Sequence, residues 1–231
     1  MQTLNTKALR VIDISLPIEP AVAPVGPDDI ARMVVQEKLI WPIETYGSYV
    51  DDSLYQVVRF KTHLRTHIES PYHLEGKGKA LSDFPPETFF GRMVLFTIDV
   101  PDGTEVTADM LAALDKDRLQ GDDIAVVHTT WQGGPRETKP VLLSDGAQYF
   151  VDKGIKLFGQ DESLAISKSG VPGSGHDFLL KNDIPLLEML CNLDQLTQDV
   201  SFIIAIPGLM KIQGIDASTV QAVVLEGLEV L

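Results

Sequence analysis

Residues 121–131 read Gly121-Asp-Asp-Ile-Ala-Val-Val-His128-Thr-Thr-Trp131. The central four residues, Ile124 to Val127, are apolar without alternation, and Gly121 with its two aspartates precedes them as a turn. A strand with one face in water alternates apolar and polar side chains, whereas a strand covered on both faces does not. We therefore predict a strand at Ile124–Thr130 inside a sheet that other elements cover on both sides.

The surrounding sequence repeats this pattern and alternates it with helical patterns from about Arg92 onward. Further β-rich apolar runs predict strands at Met93–Val100, Ile155–Gly159, Ile184–Leu190, Phe202–Ile206 and Val220–Leu225. Helices are predicted from Thr107 as cap to about Leu119 with Gly121 as stop, from Ser144 as cap to Gly154, and over His176–Lys181. The alternation predicts an α/β fold with a mixed, largely buried sheet flanked by helices.

The chain reads as one domain over residues 1–231. Its 44% hydrophobic and 23% charged residues are ordinary for a globular protein, and neither an internal repeat nor a low-complexity tract divides it. Four prolines lie between Pro17 and Pro27, so residues 1–28 are predicted to form an extended N-terminal arm packed on the body.

Charge and hydropathy exclude several classes of partner. The 19 Lys and Arg against 33 Asp and Glu give a net charge of −14, which repels nucleic acid and anionic membranes. No apolar run approaches the roughly 18 residues of a membrane-spanning helix, and the first fifteen residues lack the apolar core of a signal peptide. A cytoplasmic protein with a small-molecule substrate is expected.

A dense group of histidines indicates a metal site. The segment His63-Leu-Arg-Thr-His67-Ile-Glu69-Ser-Pro71-Tyr-His73 holds three of the five histidines, where an 11-residue window would hold about a quarter of one by chance. Imidazole and carboxylate are ligands that divalent metals prefer. On a straight strand His63 and His67 would lie roughly 13 Å apart, so a turn is predicted between them. His67 and Glu69 can face one ion from extended backbone.

Two further features complete the candidate site. His73 follows Pro71 and can face the same pocket from outside the first shell of ligands, where it would serve as general acid or base. Far downstream, His176 follows a Gly-rich turn, and Glu188 interrupts an apolar strand, where a buried carboxylate needs a partner. Glu188 either pairs with an arginine such as Arg65 or binds the metal together with His176, and we favour the metal.

The histidine segment resembles the His-x-Gly-Thr-His-x-Asp-x-Pro-x-His hallmark of the cyclase family, metal-dependent hydrolases that include bacterial kynurenine formamidase and isatin hydrolase. The similarity extends over most of the chain. It includes the opening Val11-Ile-Asp-Ile-Ser-Leu-Pro17, the segment Gly159-Gln-Asp161, the spacing of His176 and Glu188, and the closing Ile206-Pro-Gly-Leu-Met-Lys-Ile-Gln-Gly214.

The resemblance implies a swivelling β/β/α fold, a homodimer or higher homo-oligomer, and a site that binds Zn²⁺, as one or two ions, or Mn²⁺. It implies His73 as the catalytic acid/base. It also implies five metal ligands, His63, His67, Glu69, His176 and Glu188.

Two positions depart from the hallmark: Arg65 stands where the family usually has glycine, and Glu69 where it usually has aspartate. The longer carboxylate changes where a metal must lie and leaves open whether one or two ions bind. A glycine position often needs φ > 0, so Arg65 implies a different local backbone or a side chain that reaches into the pocket, where it would suit a carboxylate-bearing substrate. Equally, Arg65 would merely pair with Glu69 or Glu188. We expect Thr66 to orient the loop and, as a less favoured alternative, to contact substrate.

Aromatic residues that could shape a substrate pocket are Trp41, Tyr46, Tyr49, Phe84 and Trp131. The residues together predict a metal-dependent hydrolase, arylformamidase-like, that cleaves an amide, lactone or cyclic imide through metal-activated water and His73. A cyclase or dehydratase acting on a polyketide-like or other small substrate is the alternative within enzymes. A non-catalytic metal- or ligand-binding module is the alternative outside them.

Overall fold

The computed structural model describes residues 9–18, 44–50, 53–167 and 172–228, with the backbone alone for residues 44–50 and 53–59. These parts of the chain contain three α-helices: α1 (Ala108–Asp115), α2 (Ser144–Lys153) and α3 (Gly175–Lys181). Their strands are β1 (Arg10–Asp13), β2 (Glu44–Val50), β3 (Ser53–Arg59), β4 (His67–Glu69), β5 (Phe90–Ile98), β6 (Glu105–Val106), β7 (Ile124–Thr129), β8 (Val141–Leu142), β9 (Leu157–Asp161), β10 (Leu186–Leu190), β11 (Val200–Ile204), β12 (Ala217–Thr219) and β13 (Val223–Glu226).

A curled, mixed sheet of nine strands organises the molecule, in the order β1-β13-β11-β5-β7-β9-β10-β4-β12. Strands β5, β7, β9 and β10 run parallel to one another, and the remaining neighbours are antiparallel. β2 and β3 form a separate hairpin, and β6 pairs with β8. The predicted α/β class with a mixed sheet is confirmed.

Both faces of the central strands are buried, as the unbroken apolar runs predict. On one face, side chains such as Phe96 and Phe158 pack against Leu111, Phe150 and Leu179 of the three helices. On the other face a second apolar cluster is closed by the curl of the sheet and by short turns. It includes Ile14, Leu81, Phe89, Val126 and Leu187. Each fully buried side chain of this size contributes about 1.5–3 kcal/mol to folding.

Several predicted boundaries are wrong by a few residues. Helix α1 ends at Asp115, not Leu119, because the Asp115 carboxylate accepts the Leu119 amide at 2.7 Å and the chain turns at Lys116, whose φ is +49°. Strands β9 and β10 start two residues late because Ile155 and Ile184 donate backbone hydrogen bonds to the preceding helices.

The other strand predictions shift in the same modest way. β5 and β11 begin earlier than predicted because the first residue of each pairs with a later residue of the other in the antiparallel ladder, Phe90 with Ile204 and Val200 with Val94. β13 begins at Val223 because the Val220 amide is bonded to Thr66 instead of to a neighbouring strand. Most of the predicted N-terminal arm lies outside the described residues and stays a prediction.

The site is positioned by β4, a three-residue strand held between β10 and β12. Its register sets His67 opposite Glu188 and Glu69 opposite Leu186. None of the helices in the described ranges has the length and apolar character needed to cross a membrane.

Candidate metal centre

The turn predicted between His63 and His67 is present and is made by a left-handed residue. Arg65 has φ = +53°, so the chain reverses there before it enters β4. The side-chain hydroxyl of Thr66 donates to the Met189 carbonyl at 2.6 Å and accepts the Leu16 amide at 2.8 Å. The turn is thus fixed to β10 and to the segment after β1, which brings the His63 ring to 5.0 Å from that of His67.

Glu69 is the centre of the cluster. Its side chain is 2% exposed, and three imidazoles surround its carboxylate. His63 Nε2 lies 2.9 Å from Oε2, His176 Nε2 is in direct contact with Oε1, and His73 Nε2 is 3.9 Å from Oε2. Residues 63 and 176, far apart in sequence, therefore meet on one carboxylate, as the metal hypothesis requires.

His176 reaches the cluster from the first turn of α3. The Ser174 hydroxyl caps this helix by accepting the Asp177 amide. A Cβ on Gly175 would lie 2.5 Å from the Leu142 carbonyl oxygen, so only glycine allows the helix to start this close to β8. The second ring nitrogen, Nδ1, lies 2.8 Å from the Asp177 carboxylate, which orients the ring with Nε2 toward Glu69.

Glu188 joins the cluster from β10. Its Oε2 lies 3.7 Å from His67 Nε2 across the β4–β10 pair, and it forms no ion pair with Arg65. Burial, with the Glu69 carboxylate nearby, raises the pKa of Glu188 to about 7. Of the two readings the sequence left open, this placement supports metal binding by Glu188 over pairing with Arg65.

The ionisable groups shift one another strongly. Although burial opposes ionisation, the His176 and His63 imidazoles that contact its carboxylate hold the pKa of Glu69 below its ordinary range. The same contacts outweigh burial at His176 and raise its pKa to about 9. Burial and the positive charge of His63 lower the pKa of His67 to about 4. A neutral His67 beside an ionised Glu69 is the protonation pattern that metal ligands need, whereas a cation at His176 would have to displace the proton that the raised pKa retains there.

Two buried atoms in this cluster make no hydrogen bond: His67 Nε2 and Glu69 Oε1. His176 touches Glu69 Oε1 but not along a hydrogen-bonding direction. Buried polar atoms are nearly always satisfied, so two orphans within one His/Glu cluster are evidence of an absent partner. Ligand atoms of His63, His67 and Glu69 lie within 4.8 Å of one another, which fits a divalent cation.

His73 and Asp216 lie at the outer side of the cluster. His73 ends the 3-10 turn Pro71–His73, is 37% exposed, and has Nδ1 3.4 Å from Asp216 Oδ2. Sequence reasoning missed Asp216, which stands 143 positions from His73 in a loop with no pattern to mark it. The two groups Glu69-His73-His176 and His63-His73-Asp216 also have ligand atoms within 4.8 Å.

The structure places the remaining candidates less centrally. Arg65 is half-buried, and Trp131 lies in the loop after β7, with Nε1 donating to Thr138 and Lys139 5.1 Å from its ring. Arg136, in the same loop and not noticed from the sequence, lies close enough for its charge to act on the pKa of Glu188. Phe84 belongs to the core. Trp41 and the side chains of Tyr46 and Tyr49 lie outside the described residues.

Comparison with protein families gives a match to the family described as "Putative cyclase" over residues 12–164. Among curated proteins, kynurenine formamidase of Bacillus anthracis is 27% identical over 221 residues, which cover 94% of this chain and 98% of the relative. The match therefore spans nearly the whole of both chains.

Solved structures share the fold. Isatin hydrolase A from Labrenzia aggregata, bound to benzyl benzoate, superposes with a TM-score of 0.71 at 20% identity and covers 95% of this chain and 94% of its own. A structure described as a "predicted metal-dependent hydrolase from Bacillus stearothermophilus" superposes with a TM-score of 0.69 at 22% identity and covers 95% of this chain and 99% of its own. At such identities the likeness establishes the architecture alone.

Proposed function

This chain belongs to the cyclase family, and from that membership we propose that it is a metal-dependent hydrolase that cleaves an amide, lactone or cyclic imide bond of a small molecule. Amide cleavage is the reaction that the kynurenine formamidase relatives suggest. The convergence of His63, His67, His176 and Glu188 on Glu69, with two buried atoms that make no hydrogen bond, carries the proposal.

The proposed ligands are His63, His67, Glu69, His176 and Glu188. Zn²⁺ is the cation we propose, because imidazole and carboxylate form its usual ligand set, with Mn²⁺ as the alternative. Glu69 is approached by His63 at one oxygen and His176 at the other, an arrangement open to either one ion or two. A bound cation supplies Lewis acidity and lowers the pKa of water.

His73 is the proposed acid/base. Its Nε2 faces the carboxylate cluster while its ring stays partly exposed, so a substrate carbonyl and a water can meet beside it. Nε2 takes the proton from the water that attacks the carbonyl and gives it to the departing nitrogen or oxygen. The carboxylates and imidazoles proposed as ligands stay in place while His73 accepts and then donates the proton.

The test begins with elemental analysis of the purified protein. A panel of aryl formamides, lactones and cyclic imides is then assayed before and after chelation and after readdition of Zn²⁺ or Mn²⁺. We expect bound metal and chelator-sensitive hydrolysis with solvent oxygen in the product. A product without solvent oxygen would indicate the cyclase or dehydratase alternative, and metal without turnover would indicate a binding module.

The substitution His73→Ala separates catalyst from ligand. We expect hydrolysis to fall by about 10²–10⁴-fold, the usual contribution of a general acid/base, with metal content unchanged. His128→Ala is the matched control, since that histidine pairs with Asp161 through a 2.6 Å contact outside the ligand set. Loss of metal from His73→Ala would make His73 a ligand.

Three finer expectations stay within this proposal. We propose Arg65 and Trp131 as substrate contacts, with Arg65 suited to a carboxylate on the substrate and Thr66 holding the loop between them and the metal ligands. We propose a homodimer or higher oligomer, which sedimentation of the purified protein tests directly. The cytoplasmic location expected from the sequence is checked by cell fractionation.

A further inference from the structure

Asp216 lies beside the partly exposed His73 ring. Its Oδ2 lies 3.4 Å from His73 Nδ1 and 3.9 Å from His63 Nδ1. His63 Nδ1 already has the Thr62 hydroxyl at 3.1 Å. Of the two imidazoles, His73 is therefore the one better placed to hydrogen-bond to the Asp216 carboxylate. A separation of 3.4 Å is long for a hydrogen bond, as is common for catalytic pairs before substrate binds.

The backbone on both sides of this contact is tied together. The Asp216 carbonyl oxygen accepts the Ser70 amide at 2.8 Å and the Ser70 hydroxyl at 2.9 Å, immediately before the turn that carries His73. The other carboxylate oxygen, Oδ1, accepts the Ala217 amide at 2.8 Å. The Thr62 hydroxyl also bonds this carboxylate. The Ala217 amide holds Oδ1, and Oδ2 is the oxygen that faces the His73 ring.

This arrangement bears on which ring nitrogen carries the proton. A neutral histidine acts as a base only through the nitrogen without hydrogen, and the hydrogen-bond partner of the other nitrogen decides which one that is. Carboxylates lie near both ring nitrogens, but only Asp216, 3.4 Å from Nδ1, is within hydrogen-bonding distance, whereas Glu69 is 3.9 Å from Nε2. Hydrogen is therefore favoured on Nδ1, and Nε2, on the side of the ring near Glu69, is left as the base.

We propose that Asp216 is a positioning residue that holds His73 with Nδ1 as donor and Nε2 toward the reacting atoms. The proposal rests on the proposed function, in which His73 is the acid/base. The competing role for Asp216 is that of a metal ligand, because His63, His73 and Asp216 could themselves hold a cation. The two roles predict different effects on metal content.

The principal variant is Asp216→Asn, whose amide oxygen can still accept the Ala217 amide and whose backbone still binds Ser70. We expect kcat to fall by about 10–100-fold, the loss typical when a hydrogen-bond partner that orients a functional side chain is removed. KM and metal content should be nearly unchanged. In a His73→Ala background, Asp216→Asn should cause no further loss. Asp199→Asn is the matched control, since Asp199 pairs with Arg118 at an exposed position.

A second measurement does not need activity. Two-bond ¹H–¹⁵N spectra of the imidazoles report the tautomer of each of the five histidines, and His73→Ala assigns the His73 signals. We expect the Nδ1–H form at His73 in the wild type and a shift toward Nε2–H in Asp216→Asn.

The outcomes separate the two proposals. Metal loss in Asp216→Asn, an additive loss in the double variant, or an unchanged tautomer would each overturn the positioning role. Failure of the wild type to hydrolyse any substrate would instead defeat the proposed function, and the tautomer measurement would still decide the role of Asp216.

Discussion

Two buried carboxylates in this protein have opposite surroundings. Asp115, at the end of α1, is 1% exposed and receives the Tyr149 hydroxyl at 2.7 Å, Lys153 Nζ at 2.8 Å and the Leu119 amide at 2.7 Å. Glu69 is equally buried, yet it is surrounded by imidazoles and keeps one oxygen without a hydrogen bond.

The difference separates a cluster that the chain satisfies by itself from one that fits a bound cation. The Asp115 carboxylate has one charged donor, Lys153, and two neutral donors, all within the chain. It therefore needs no external group to neutralise its charge or satisfy its oxygens. Around Glu69 no Lys or Arg among the described residues pairs with the carboxylate, and the neighbours are imidazoles, a side-chain type that divalent cations favour as ligand. Leaving buried polar atoms unsatisfied costs free energy, which a bound cation would recover.

Glu69→Gln should produce the largest effect. The amide cannot bind a cation as a carboxylate does, so we expect the metal to be lost and activity to fall more than about 100-fold, beyond the loss typical of groups behind a ligand. Elemental analysis and the hydrolysis assay measure both quantities. Full metal content in Glu69→Gln would show that the cation is held elsewhere.

Asp115→Asn should have the opposite pattern of effects, lowering stability while leaving the metal and the activity unchanged. It leaves Lys153 without its carboxylate, so we expect the free energy of unfolding to fall by about 1–3 kcal/mol. Metal content and kcat should not change, because Asp115 has no contact with the cluster around Glu69. Denaturant unfolding of the metal-loaded protein checks the first part, and a loss of metal would contradict the separation of the two clusters.

The two clusters should also differ in how stability depends on pH once metal is removed by chelator. The pKa of His176 is raised from its ordinary 6.5 to about 9, so its stabilising protonation is complete below pH 6.5 and is lost as pH rises through 9. The Asp115 cluster should contribute evenly over this range, since Asp115 has a lowered pKa and burial raises the pKa of Tyr149 to about 12.

We therefore expect the metal-free protein to lose stability between pH 7 and pH 9. Denaturant unfolding at several pH values measures this loss, and His176→Gln should reduce it whereas Asp115→Asn should not; His63 and His128, whose pKa values are also raised, account for the remainder. A metal-free protein that becomes more stable with rising pH would refute the assignment of the raised pKa to His176.

Sequence predicts different parts of this molecule unequally well. The buried strands are identifiable because a strand covered on both faces has a continuous apolar run, as Ile124 to Val127 shows. The ends of these strands are not identifiable in this way. The amides of Ile155 and Ile184 bond to carbonyls of the preceding helices, and the pattern of side chains does not indicate such backbone bonds.

The candidate site divides in the same way. His63, His67 and Glu69 lie within seven positions, so their density alone indicates a metal site. The sequence predicts His176 and Glu188 as ligands because His176 follows a Gly-rich turn, Glu188 interrupts an apolar strand, and their spacing resembles that of a known family. Asp216 stands alone in a loop, and only the folded backbone brings it beside His73. A contact between two single residues so far apart in sequence can be recognised only in the folded structure.

Arg65→Gly should have the smallest effect. An L-residue in the left-handed region is strained by roughly 1–2 kcal/mol, and glycine removes this strain at some entropic cost, so we expect a net stabilisation of about 0.5–1 kcal/mol.

Glu75, also left-handed with φ = +58° but exposed and outside the cluster, gives the matched control Glu75→Gly. Both variants should gain stability and keep their metal, whereas only Arg65→Gly should raise KM for carboxylate-bearing substrates relative to neutral ones. Equal KM values for both substrate classes would show that the Arg65 side chain has no part in substrate binding, and a stability loss confined to Arg65→Gly would mean that the guanidinium supports the turn between His63 and His67.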